Sequence, residues 1–149
     1  MMLALNVVTT LCIGLLIGTE FAVSAFINPI LRKLDSRAQA SAIRLFAKRL
    51  GTAMPFWYAA SLLLLIGQAI LRRQQSGDAL LIAASTIWAA VIVHTLLVLV
   101  PINNRMMKLD SDALSAEEQR AHTKWDNLHR LRVAALVAAM VCCLVAIGM

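Results

Sequence analysis

Glu20 and His94 stand deep inside long apolar stretches, where an ionisable side chain is costly and marks function more often than decoration. Glu20 lies nine residues before Pro29 and His94 seven before Pro101, so along a helix they sit about 14 Å and 11 Å from the same boundary. Ser24 and Asn28 follow Glu20 at i+4 and i+8, which makes one stripe of that helix polar. Trp125, His129 and Arg132 recur at i, i+4 and i+7 and share a second face. Arg132 already lies two residues inside an apolar segment. Unless it snorkels to the headgroups it needs an anion, and Glu20, the one carboxylate within the spans, is its expected partner. Asn103 and Asn104 stand where a third apolar stretch ends. Together these residues outline a polar, half-buried pocket open at one end.

His129 is the first candidate for proton transfer. It reaches water and pocket at once, and an imidazole has an unperturbed pKa of about 6.5. His94 is the second. Glu20, His94 and His129 also form a donor set for zinc, iron or copper, or for haem, although their spacing is scattered. Each residue has a plainer role open to it. Arg132 can anchor to lipid phosphate, and Trp125 and His129 can be headgroup residues. His94 can bond a backbone carbonyl, and Asn103 and Asn104 can end a helix. His122 reads as solvated. Glu20 has the least room for a plain role, because a short carboxylate cannot snorkel. Cys12, Cys142 and Cys143 fall in apolar helix without ligand spacing and read as small buried hydrophobes.

Four apolar stretches position these side chains: residues 3–31, 52–71, 79–100 and 131–149. Each is near or above the ~20 residues that cross a hydrocarbon core of about 30 Å. Hydrophobic residues make up 60% of the chain and charged ones 15%, with mean hydropathy +0.77. A soluble domain lies nearer 45–50% and about 25%, and a soluble bundle needs a polar face on every helix. The expected fold is therefore all-α: one membrane domain over residues 1–149, a four-helix bundle with cytoplasmic helical extensions. The net charge of +6 does not indicate nucleic acid, because position explains it. Twelve of the fourteen Lys and Arg residues lie in the first and third connections, and Arg72 and Arg73 in the second. The positive-inside rule then puts both termini outside the cytoplasmic membrane.

Residues 32–50 predict an amphipathic connector lying on the anionic leaflet, with Ile43, Phe46, Ala47 and Leu50 on its apolar stripe. Phe56, Trp57 and Tyr58 read as a headgroup anchor, with Pro55 in the first turn of the second span. Pro29 and Pro101 are expected to end the first and third spans. Ser115 and Glu118 predict a capping box that opens a helix running unbroken into the fourth span. Gly14 and Gly18 form a GxxxG, which suits close helix approach within the bundle or in a homo-oligomer.

The string Val100-Pro-Ile-Asn-Asn-Arg105, followed by Trp125, His129 and Arg132, resembles the anthrone oxygenase-like family of small four-span membrane proteins. A glycine-containing first span ending in Asn28-Pro29 is also similar to that family. The family motif falls here on Pro101, Asn103, Asn104, Arg105, Trp125, His129 and Arg132. The resemblance implies oxidation of an anthrone to an anthraquinone by dioxygen without an added cofactor. In that chemistry His129 or His94 is the base, Arg132 the cation facing the developing anion, and Asn103 and Asn104 the amide donors. Trp125, Glu20 and Arg105 would line the site of a lipophilic aromatic ligand. A metal or haem protein is the competing expectation, and a small carrier or accessory subunit the third.

Overall fold

The computed structural model describes residues 2–108 and 114–149. Four helical spans, Met2–Leu31, Ser36–Leu71, Asp78–Met107 and Ala116–Gly148, are each long and apolar enough to cross a membrane. The protein is an all-α four-helix bundle. The spans run up and down in turn, and each packs on the two beside it in a closed ring, the fourth returning to the first.

Span one consists of α1 (Met2–Ala22), a wide π turn (Val23–Ile27) and α2 (Asn28–Leu31). Span three repeats that plan with α4 (Asp78–His94), a second π turn (Thr95–Leu99) and α5 (Val100–Met107). Neither Pro29 nor Pro101 ends its span, contrary to expectation. A proline has no N–H to give and its ring crowds the carbonyl four residues back. Here the helix widens just before each proline instead of stopping. The Asn28 N–H reaches the Val23 carbonyl and the Val100 N–H reaches that of Thr95, both five residues back.

Span two is a single helix, α3 (Ser36–Leu71), which passes through Gly51 and Pro55. The connector expected to lie on the leaflet is thus its first half, and Pro55 is mid-helix rather than in a first turn. Two features keep that half helical. Asp35 caps it, accepting from the Arg37 and Ala38 N–H groups at 3.1 and 3.0 Å. Its apolar face also finds protein: Ile43 packs with Leu31 and Met106 in a small core. Span four, α6 (Ala116–Gly148), is unbroken as expected. Its Ser115–Glu118 capping box is formed, with the Glu118 N–H 3.3 Å from Ser115 Oγ and the Ser115 N–H 2.7 Å from Glu118 Oε2.

The main core lies along the bundle axis, where Leu16, Leu65, Leu81, Trp88 and Leu136 are fully enclosed. Trp88 donates to the Tyr58 carbonyl at 3.1 Å and Trp57 to that of Cys12 at 3.0 Å. The aromatic triplet is therefore split. Phe56 faces outward, 76% exposed, while Tyr58 points into the core. Gly14 faces Met140 of α6, whereas Gly18 opens onto empty space.

Candidate functional site

The polar stripe of span one turns inward: Glu20, Ser24 and Asn28 are all buried. Glu20 sits one turn before the first π turn and is the hub. Its Oε2 accepts from Arg132 Nη2 at 2.5 Å and its Oε1 from the Tyr58 hydroxyl at 3.0 Å. The guanidinium also lies 5.7 Å above the Tyr58 ring and donates to Thr95 Oγ1, at the start of the second π turn, at 3.4 Å. All four spans thus contribute to one ion-pair centre. The sequence-expected pairing of Glu20 with Arg132 is present. Tyr58 and Thr95, which were not among the residues expected there, join it.

His129 is almost fully enclosed, and both its ring nitrogens are engaged. Nε2 lies 3.0 Å from the Glu20 carbonyl, and Nδ1 2.8 Å from Arg132 Nη2. A carbonyl can only accept and a guanidinium can only donate. These two contacts suit the tautomer that carries its proton on Nε2 and turns its Nδ1 lone pair to Arg132. That lone pair also stands 3.3 Å from Glu20 Oε2. Trp125 stacks on the ring at 4.7 Å, and His122 stacks on Trp125 at 6.2 Å. His122, read from sequence as solvated, is in fact buried.

Closer to the basic end stands a second buried carboxylate, which sequence reasoning missed. Asp126 is fully enclosed and accepts from Asn28 Nδ2 at 2.7 Å. It also pairs with Arg32, and with Arg130 at 3.2 Å. Glu20 is thus not the only buried acid. Asp126 latches span one to α6, one residue from Trp125, and so fixes the face that carries the site.

A cavity of about 250 Å³ abuts the centre, with Glu20, Tyr58, Thr95, Trp125, His129 and Arg132 on its polar wall. The remaining wall is apolar except for Asn103. Among the described residues, Trp125 Nε1 and Arg132 Nε are buried N–H donors without an acceptor. Both belong to residues that line this cavity. The other expected site residues are not gathered here. Asn104 and Arg105 are exposed, and Arg105 pairs with Glu117 at 2.8 Å. His94 is half-buried and outside the cavity lining. The donor set Glu20, His94 and His129 is not assembled, and among the described residues no group of three His, Cys, Asp or Glu is placed to hold a metal ion.

A family model described as anthrone oxygenase matches residues 43–142, two thirds of the chain. The chain belongs to the anthrone oxygenase family. No curated protein and no solved structure matches it. The stretch shared with the family carries Tyr58, Thr95, Asn103, Trp125, His129 and Arg132. Glu20, which ties these residues together, comes from the first span, outside that stretch.

Proposed function

We propose that the protein is an oxidoreductase that oxidises a lipophilic phenolic substrate of the anthrone type with dioxygen, in the cavity beside Glu20. Family membership supports the reaction class. The observation that carries the site is the Glu20–Arg132 ion pair on the wall of a mostly apolar cavity, next to two unpartnered N–H donors.

In this reading an anthrone binds with its flat apolar body against the cavity wall and its oxygen toward Arg132 Nε and Trp125 Nε1. Those donors and the Asn103 amide stabilise the enolate oxygen that forms as a methylene proton leaves. Glu20 takes that proton, and His129 Nδ1 beside it is the next stop. The substrate carbanion adds dioxygen at carbon, and the proton returns to give the hydroperoxide. Removal of the second hydrogen from that carbon then breaks the O–O bond, and hydroxide leaves as water. Methylene and dioxygen have become ketone and water, and every electron that reduces dioxygen comes from the methylene carbon. Buried between a carbonyl and a guanidinium, His129 positions Arg132 and relays a proton rather than meeting the substrate first. His94, Asn104 and Arg105 enter no step, and neither does a metal, haem or other cofactor.

The test is dioxygen uptake by protein in lipid vesicles supplied with a dihydroxyanthrone. Glu20→Gln should lower the rate at least about 100-fold, the usual scale for losing a general base. Uptake by the wild type no faster than by that variant would sink the reading.

The basic end faces the cytoplasm in this reading, since it carries eleven of the fourteen basic side chains, Arg132 being drawn inward to Glu20. A phosphatase that works only outside the cytoplasm should be active when fused at the C-terminus. Activity only of a cytoplasmic reporter would reverse the orientation.

A further inference from the structure

The cavity has two directions in which to open, and the fold treats them differently. Toward water at the basic end lies a small adjoining pocket of about 60 Å³, which shares Val23, Leu50, Asn103 and Trp125 with the main cavity. Its far wall is the packed trio Leu31, Ile43 and Met106, each no more than 6% exposed. The Asp126 latch to Asn28 and Arg32 stands at the same end. That route is stoppered by side chains.

Sideways the wall is thin. On α3 the cavity is bordered beside Leu50 and Met54 by Gly51, Pro55 and Ala59, at i, i+4 and i+8, three exposed residues that are small. Opposite them, on the second π turn, stands Leu96, 57% exposed. A Cβ added at Gly51 would meet nothing within 4 Å. Pro55 has no N–H for the Gly51 carbonyl, so the backbone at this rim keeps an acceptor that an ordinary helix would occupy. Depth places the gap within lipid. Lys48 and Arg49 mark the headgroup level just before Gly51, and the gap runs from there about 12 Å toward mid-membrane.

We propose that this gap is a lateral portal through which a flat, amphipathic aromatic molecule enters from the leaflet at the basic end. Gly51, Ala59 and Leu96 set its width. A phenolic polycycle dissolves at that depth, with its hydroxyls near the headgroups, and reaches Glu20 without crossing water. The portal rests on the proposed substrate class but does not require turnover.

An unreactive hydroxyanthraquinone dissolved in vesicles of phosphatidylcholine and phosphatidylglycerol separates the two readings. Its binding is followed by quenching of tryptophan fluorescence, Trp125 being at the cavity, and its exchange rates by relaxation after a temperature jump. Gly51→Phe and Ala59→Phe, tested separately, should slow entry and exit together by roughly tenfold while the dissociation constant holds, the signature of a narrowed passage. Leu96→Ala should speed both. Unchanged rates in all three variants, or faster exchange on opening the other route with Met106→Ala, would overturn the portal. Quenching without dioxygen uptake from a dihydroxyanthrone would remove the oxygenase reading and leave the portal standing. No quenching by the wild type would remove both.

Discussion

Glu20 gives each carboxylate oxygen its own buried partner, Arg132 on one and Tyr58 on the other. Removing one member of such a pair strands the other charge and typically costs about 3–5 kcal/mol. Glu20→Gln and Arg132→Gln should each lose on that scale in thermal unfolding of the detergent-solubilised protein, and the double variant less than the sum. Strict additivity would mean that the two side chains do not interact. Both residues are legible in sequence, one by depth and the other by its need for an anion. Tyr58 is not, because three aromatics in a row read as a headgroup belt. Only the stripe Tyr58, Ser61, Leu65 and Gln68, all buried on one face of α3, marks it as inward. Asp126 is masked by a neighbourhood where charge is ordinary. The engagement of His129 escapes side-chain patterns altogether, since one of its two partners is a backbone carbonyl.

At the scale of elements, the sequence marks where the helices thin but not what happens there. Proline suggests an end, yet Pro29 and Pro101 each follow a π turn that absorbs the missing hydrogen bond and lets the helix continue. The choice depends on packing: Leu31, two residues past Pro29, and Met106, five past Pro101, bury themselves against Ile43. The turn before α4 obeys its residues more simply. Gly77 takes φ +89°, and a Cβ there would stand 2.9 Å from the Ala146 Cα and 3.0 Å from its carbonyl oxygen. Gly77→Ala should therefore destabilise the bundle by about 1–3 kcal/mol through backbone strain and collision with α6. An unchanged unfolding temperature would show that the turn and α6 yield freely.

At the scale of the molecule, hydropathy alone fixes the number of spans, and length alone fixes their alternation. The ring order and the meeting of all four spans at Glu20 come from side-chain fit, which no single helix encodes. One consequence follows for biosynthesis. The acid of the site lies on span one, and its guanidinium partner, 112 residues later in the chain, on span four. Placing an ionised side chain mid-bilayer on a lone helix costs about 2.5–3.5 kcal/mol. The nascent chain carries that debt until the fourth span is made. A chain stopped before residue 131 should be cleared by membrane proteases, and Glu20→Gln should lengthen its half-life in a pulse-chase measurement. Equal half-lives would mean that the early acid is neutralised before its partner arrives.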